Sequence, residues 1–236
     1  REGKIVPFDI KKITEAIIKA FEAEDKKYDE GIVDFLALKV TADFESKVKD
    51  NIICVEEVRL AVTKFGGIPL LILPVNKDSL SLKNLYSEEE IKELERVLNL
   101  CDGFILPGGD TWYQLDEVVI DYAIKYDKPL LGICLGMQAL SKVLCEDKRI
   151  SYDNTIKNNT SINHLEPNKD YVHSVIIDED SKLYSIIDKK EILVNSRHSY
   201  HVPELNNLGC ARSSDGLIEE VEVKDKKFII GVQWHP

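Results

Sequence analysis

Cys134 stands between two glycines in Gly132-Ile133-Cys134-Leu135-Gly136-Met137-Gln138, behind the apolar run Pro129-Leu130-Leu131 and ahead of Ala139 to Leu144. The run before it reads as a short buried strand and the residues after it as a helix. A Gly-x-Cys-x-Gly at a strand-to-helix turn is the thiol counterpart of a nucleophile elbow, in which glycines permit a tight, strained turn at the edge of a sheet. The helix N-terminus behind the thiol would lower its pKa and leave backbone N–H groups for an oxyanion. The same cysteine also fits as a small buried hydrophobe between packing glycines. A nucleophilic thiol needs a base, and His235 ends the strand-like run Gly231-Val232-Gln233-Trp234-His235-Pro236. An imidazole there can take the thiol proton and later protonate a leaving amine. Gly108-Gly109 ends another strand-like run and is either a plain turn or, with the Leu135 N–H, half of an oxyanion hole.

These groups meet only if the elements between them alternate. Ile68 to Pro74 is an apolar run bounded by turn residues and predicts a strand. Ser87 to Asn99 predicts a helix, with Ser87 as N-cap and Glu90 as its capping-box partner. Gly103 to Pro107 is a second strand, Asp116 to Tyr126 a helix, and the strand before Cys134 a third. Strand and helix alternation predicts a parallel sheet covered by helices, with sites at the carboxyl ends of strands. The C-terminal third predicts short strands at Val172–Ile177, Glu191–Val194, Gly209–Ser213, Leu217–Val223 and Lys227–Gln233. Ser214-Asp215-Gly216 and Lys224-Asp225-Lys226 are their hairpin turns.

A chain of 236 residues that is 44% hydrophobic can bury a sizeable core. Its net charge of -11 argues against a general nucleic-acid binder. The longest apolar run, Ile68 to Val75, holds Pro69 and Pro74 and is too short to span a membrane. The start Arg1-Glu2-Gly3-Lys4 is charged and has no apolar signal region behind it, so a cytoplasmic location is expected. The five cysteines show no C-x-x-C spacing, and reduced thiols are the simplest reading. His198 lies in the polar loop Asn195-Ser196-Arg197-His198-Ser199, which would line a substrate pocket. His164, His173 and His201 read as surface or satisfied core residues. No Cys/His spacing suggests a metal, and none is expected.

In the first 64 residues, Lys4 to Phe8 predicts a strand, and Asp9 caps a helix over Ile10 to Ala23. Further helices are expected from Asp29 to Lys49 and from near Val55. The stretch Arg1-Glu2-Gly3-Lys4-Ile5-Val6-Pro7-Phe8-Asp9, with Lys12-Ile13, Ala16-Ile17 and Val55-Glu56-Glu57-Val58, resembles the ATP-cone, a nucleotide-sensing module. The resemblance implies that Arg1 and Lys12 contact phosphate, that Asp9 sits by the nucleoside, and that ATP or dATP acts as an effector. The family's final helix has no counterpart, and the module is expected to be incomplete.

The order of Leu106-Pro107-Gly108-Gly109-Asp110, the Cys134 motif, Val194-Asn195-Ser196-Arg197-His198, Ser214-Asp215-Gly216-Leu217-Ile218-Glu219 and the His235 motif resembles class I glutamine amidotransferase-like proteins. Within them it is most similar to the γ-glutamyl-γ-aminobutyrate hydrolase (C26 peptidase-like) branch. The resemblance implies an α/β, flavodoxin-like sandwich over 65–236 behind an N-terminal β-ribbon plus helices module over 1–64. Cys134 would be the nucleophile, His235 the base, Gly109 and Leu135 the oxyanion donors, and Gly108, Gln138 and His198 substrate contacts. The reaction implied is hydrolysis of a γ-glutamyl amide through a thioester, with no cofactor and a small γ-glutamyl substrate as partner. The family's first strand and the acid that follows its His-Pro pair are expected to be missing. Leu135 stands where this branch often carries Arg, which leaves the substrate open. The competing readings are a nucleotide-responsive regulatory protein, an inactive fusion of two truncated modules, and a glutaminase supplying ammonia to a synthase.

Overall fold

The computed structural model describes residues 52–72, 86–110, 113–145, 156–157, 159–203 and 209–236, together with positions 15, 18, 19, 21, 22, 27 and 33. The chain divides into two compact units, Arg1–Ile53 and Cys54–Pro236. In the first, Glu15, Ile18, Lys19, Phe21, Glu22 and Val33 are helical and Val33 is buried. The expected strand at Lys4 to Phe8 lies outside the described residues, as do Arg1, Asp9 and Lys12 and most of the two helices expected after them.

Helix α1 (Ile52–Lys64) begins in the first unit and ends in the second. It stops where the glycines predict. Gly66 takes a left-handed φ of 82, and the Gly67 N–H donates to the Val62 carbonyl at 2.9 Å. The apolar run that follows is not the expected strand over its described part, 68–72. Pro69 has no N–H for a ladder, Ile68, Leu70 and Leu71 are exposed, and only Ile72 packs against the core.

Helix α2 (Glu88–Asn99) has the predicted capping box. The Glu90 N–H donates to Ser87 Oγ at 3.2 Å, and the Ser87 N–H donates to Glu90 Oε2 at 2.7 Å. Strand β1 (Phe104–Leu106), helix α3 (Gln114–Tyr126), strand β2 (Leu130–Ile133) and helix α4 (Leu135–Leu144) give the expected alternation, with α4 starting directly after Cys134. Strand β3 (Ile156–Lys157) follows, then β4 (His173–Ile177), helix α5 (Lys182–Ile187) and β5 (Glu191–Val194). The last strands are β6 (Tyr200–His201), β7 (Gly209–Ser213), β8 (Ile218–Glu222) and β9 (Ile229–Val232). Helix α5 and the small β3–β6 ladder have no counterpart in the expectation. The cap of α5 was present in the sequence, since Ser181 Oγ accepts the Tyr184 N–H at 3.0 Å.

Among the described residues, seven strands form one mixed sheet in the order β1-β2-β9-β8-β7-β4-β5. The first three are parallel and the rest antiparallel. One face carries α3 and α4, with Met137 and Leu140 of α4 packed over Leu130, Val221 and Ile229, and the other carries α5 over Val175, Ile177, Ile230 and Val232. In β9, Ile229 and Ile230 go to opposite cores, as a period of two requires. Each fully buried aliphatic side chain of this kind contributes about 1.5–3 kcal/mol.

Candidate active site

Three parallel strands bring three loops to one edge of the sheet. Leu106 lies opposite Gly132, Gly132 opposite Gly231, and Ile133 opposite Val232. Gly108, Cys134 and His235 therefore follow the ends of neighbouring strands, where open α/β sheets place their ligands. The ladder runs one step past β2, because the Cys134 N–H donates to the Val232 carbonyl at 2.8 Å.

Cys134 has φ 51 and ψ -103, a conformation that side-chain-bearing residues rarely adopt and that costs on the order of 1–3 kcal/mol. Its surroundings enforce it. A methyl on Gly136 would lie 2.3 Å from the Leu106 carbonyl oxygen, and one on Gly132 would lie 2.7 Å from the Gly136 carbonyl, so strand and helix cross at backbone contact. The turn holds the thiol 7% exposed at the head of α4. Leu135 is the first residue of α4, so its N–H has no acceptor within the helix. Gly109 lies against it, since a methyl there would be 3.2 Å from Leu135 Cδ2.

The thiol and the imidazole flank Gly108. A methyl on Gly108 would sit 2.8 Å from His235 Cε1, 3.4 Å from His235 Nε2 and 3.4 Å from Cys134 Cβ. Burial pushes the His235 imidazole down to about 4, with Arg197 and His198 adding to the effect. At neutral pH the ring is uncharged and can accept a proton. Its backbone is gripped from both sides by one amide: the His235 N–H donates to Asn195 Oδ1 at 2.9 Å, and Asn195 Nδ2 donates to the His235 carbonyl at 2.6 Å.

A line of buried amides runs behind the thiol. Gln233 Nε2 donates to Cys134 Sγ at 3.4 Å, and Gln138 Nε2 donates to Gln233 Oε1 and to the Tyr200 carbonyl, each at 3.2 Å. Gln138, expected at the substrate, is 4% exposed and holds Gln233. Gln233 and Asn195 were not singled out from the sequence. Gln233 was accessible to it, because a period of two along the strand puts it on the same side as His235.

His198 is also drawn inward. Its Nδ1 faces the Tyr200 carbonyl at 2.9 Å and its Nε2 lies 3.8 Å from Glu219 Oε1. Burial pushes it down to about 4. His164 and His173 join it at Glu219, so the surface option for these two histidines falls away. Burial raises the Glu219 carboxyl to about 7, with His173 and His164 opposing, and raises Glu220 to about 8. A thiol, an uncharged imidazole and N–H groups at a helix head are the parts from which acyl transfer can be built.

Residues 111–236 match the Peptidase C26 family and residues 1–65 match the ATP cone domain. The chain is 26% identical over 237 residues to a glutamine amidotransferase-like protein of Rickettsia prowazekii, covering 75% of this chain and 79% of that one. It is 31% identical over 220 residues to a CTP synthase of Sulfurisphaera tokodaii, covering 81% of this chain but 39% of the synthase. Its fold is that of the glutaminase domain of Trypanosoma brucei CTPS, solved with bound acivicin, at a TM-score of 0.51, 20% identity and 78% of each chain. Strand order, elbow and matched residues together say that the chain belongs to the Peptidase C26 family, carrying a class I glutamine amidotransferase-like domain and an ATP-cone domain.

Proposed function

We propose that this protein hydrolyses γ-glutamyl amides, with γ-glutamyl-γ-aminobutyrate as the first substrate to try. The observation that supports it most is the strained Cys134 facing the uncharged His235 imidazole across Gly108. His235 takes the thiol proton as Sγ bonds to the γ-carbonyl carbon. The N–H groups of Leu135 and Gly109 hold the resulting oxyanion. When the carbonyl reforms, the C–N bond breaks and His235 returns the proton to the departing amine. Water, deprotonated by His235, then attacks the thioester, and glutamate leaves as the thiol recovers its proton. Gln233 positions Sγ throughout, and Gly108 leaves room for the imidazole.

The test is glutamate release from γ-glutamyl-γ-aminobutyrate and from glutamine, with Cys134→Ala alongside and a thiol-reactive glutamine analogue as label. Release by the native chain, loss in the variant and mass added at Cys134 are expected. Undiminished release by the variant would sink the reading. Similarity to CTP synthases favours a second reading, glutamine hydrolysis feeding ammonia to a synthase, and preference for glutamine over the γ-aminobutyrate amide would select it.

A further inference from the structure

We propose that His164, His173, His198 and Glu219 form a closed structural site for one divalent transition-metal ion, zinc being the best fit. The four are 1%, 5%, 4% and 0% exposed. Around Glu219 Oε1 lie His173 Nε2 at 3.6 Å, His164 Nδ1 at 3.7 Å and His198 Nε2 at 3.8 Å. One donor atom from each residue lies within 4.8 Å of all the others. These separations are too long for hydrogen bonds. They are near the edge of a tetrahedron with metal–ligand bonds of about 2.0–2.1 Å, roughly 3.4 Å.

The opposite nitrogen of each ring settles where the lone pairs point. His164 Nε2 lies 3.0 Å from Asp215 Oδ2, His173 Nδ1 3.1 Å from the Ser174 carbonyl, and His198 Nδ1 2.9 Å from the Tyr200 carbonyl. A carbonyl or carboxylate oxygen only accepts, so those nitrogens carry the protons and the lone pairs face the centre. A carboxylate or carbonyl behind each ligating imidazole is the usual outer support of a metal site. The Ser196 hydroxyl, 3.0 Å from His164 Nδ1, must turn off that nitrogen as the ion enters.

Among the described residues, His173 Nε2 and both oxygens of Glu219 have no hydrogen-bond partner. Lone pairs converging on a buried carboxylate with no proton donor are costly, and a dication relieves the whole set at once. Three nitrogens and one oxygen suit zinc, and a fully buried set leaves no open position for chemistry.

The site reaches the thiol through shared atoms. The Tyr200 carbonyl accepts from both His198 and Gln138, and Gln138 leads through Gln233 to Cys134. His198 lies on the same loop as Asn195, which grips His235. The ion therefore holds the loop that holds the catalytic base.

The full chain, stripped with chelator, dialysed against zinc chloride and then freed of excess, should carry about one zinc by elemental analysis. Loading with cobalt(II) should give the visible d–d bands of a tetrahedral site, and chelation should lower the melting temperature. Cys134→Ala should keep the ion, which separates this site from metal held by the thiol. Glu219→Gln should lose it, and Asp215→Asn, which alters the support behind His164, should weaken it about 10–100-fold. Native chain that retains no zinc, shows no cobalt bands and melts identically with and without chelator would overturn the proposal. So would zinc lost in Cys134→Ala and kept in Glu219→Gln.

Discussion

Gly108 is the residue whose replacement is most informative. The methyl of Gly108→Ala would press within 2.8 Å of the His235 ring, so the imidazole must shift by a good fraction of an ångström. Misplacement on that scale costs about 100-fold in rate, and a fall of that order in kcat with little change in melting temperature is expected by steady-state assay and thermal denaturation. The His235 ring also sets a pH limit. Because burial lowers it from 6.5 to about 4, it stays uncharged until well below the ordinary histidine range. The acid limb of kcat/KM should therefore lie below pH 6, and a limb near 6.5 would mean that another group carries the proton. Cys134 and His235 were legible in the sequence because their motifs are contiguous. The three histidines around Glu219 were not, since the four residues are scattered from 164 to 219 and meet through the β4–β5 pairing, the His164–His198 backbone contact and the β4–β7–β8 ladder.

The elements were mostly readable, for physical reasons that also explain the failures. Ser87 and Glu90 made the start of α2 legible, and alternation around turn residues located β4, β5, β7, β8 and β9 to within a residue or two. Over its described part, 68–72, the run after Gly67 forms no strand, because apolarity alone does not supply a partner strand. At the head of α3, Asp116 Oδ2 accepts the Tyr113 N–H at 3.1 Å, yet burial dominates and raises the carboxyl from 3.8 to about 6. The folded chain thus holds that proton more tightly than the unfolded one. The contribution to stability is fully present below about 3.8 and is lost as pH rises through about 6. Asp116→Asn keeps an oxygen for the Tyr113 N–H and removes the charge. It should stabilise the protein by about 1–3 kcal/mol at pH 7.5 and leave it nearly unchanged at pH 4, as measured by urea denaturation at both values.

At the scale of the molecule, the ATP-cone match over residues 1–65 makes nucleotide the effector to test. ATP or dATP at about 100 times its dissociation constant should stabilise the full chain by about 2.7 kcal/mol, read as a rise in melting temperature. Arg1→Ala with Lys12→Ala should abolish the rise, and no shift with either nucleotide would remove the effector role. The larger unit has a further property, set by where β9 lies. This strand follows β3 to β8 in the sequence yet is inserted between β2 and β8, so the two halves of the sheet are joined only once it has been made. Until it arrives β2 has an open edge, Gly231 is absent from beneath Met137, and Cys134 lacks both Gln233 and His235. Such distant pairing folds slowly. The same delay keeps Cys134 apart from His235 in any chain that has not yet added β9, so the elbow is made well before the groups that surround it.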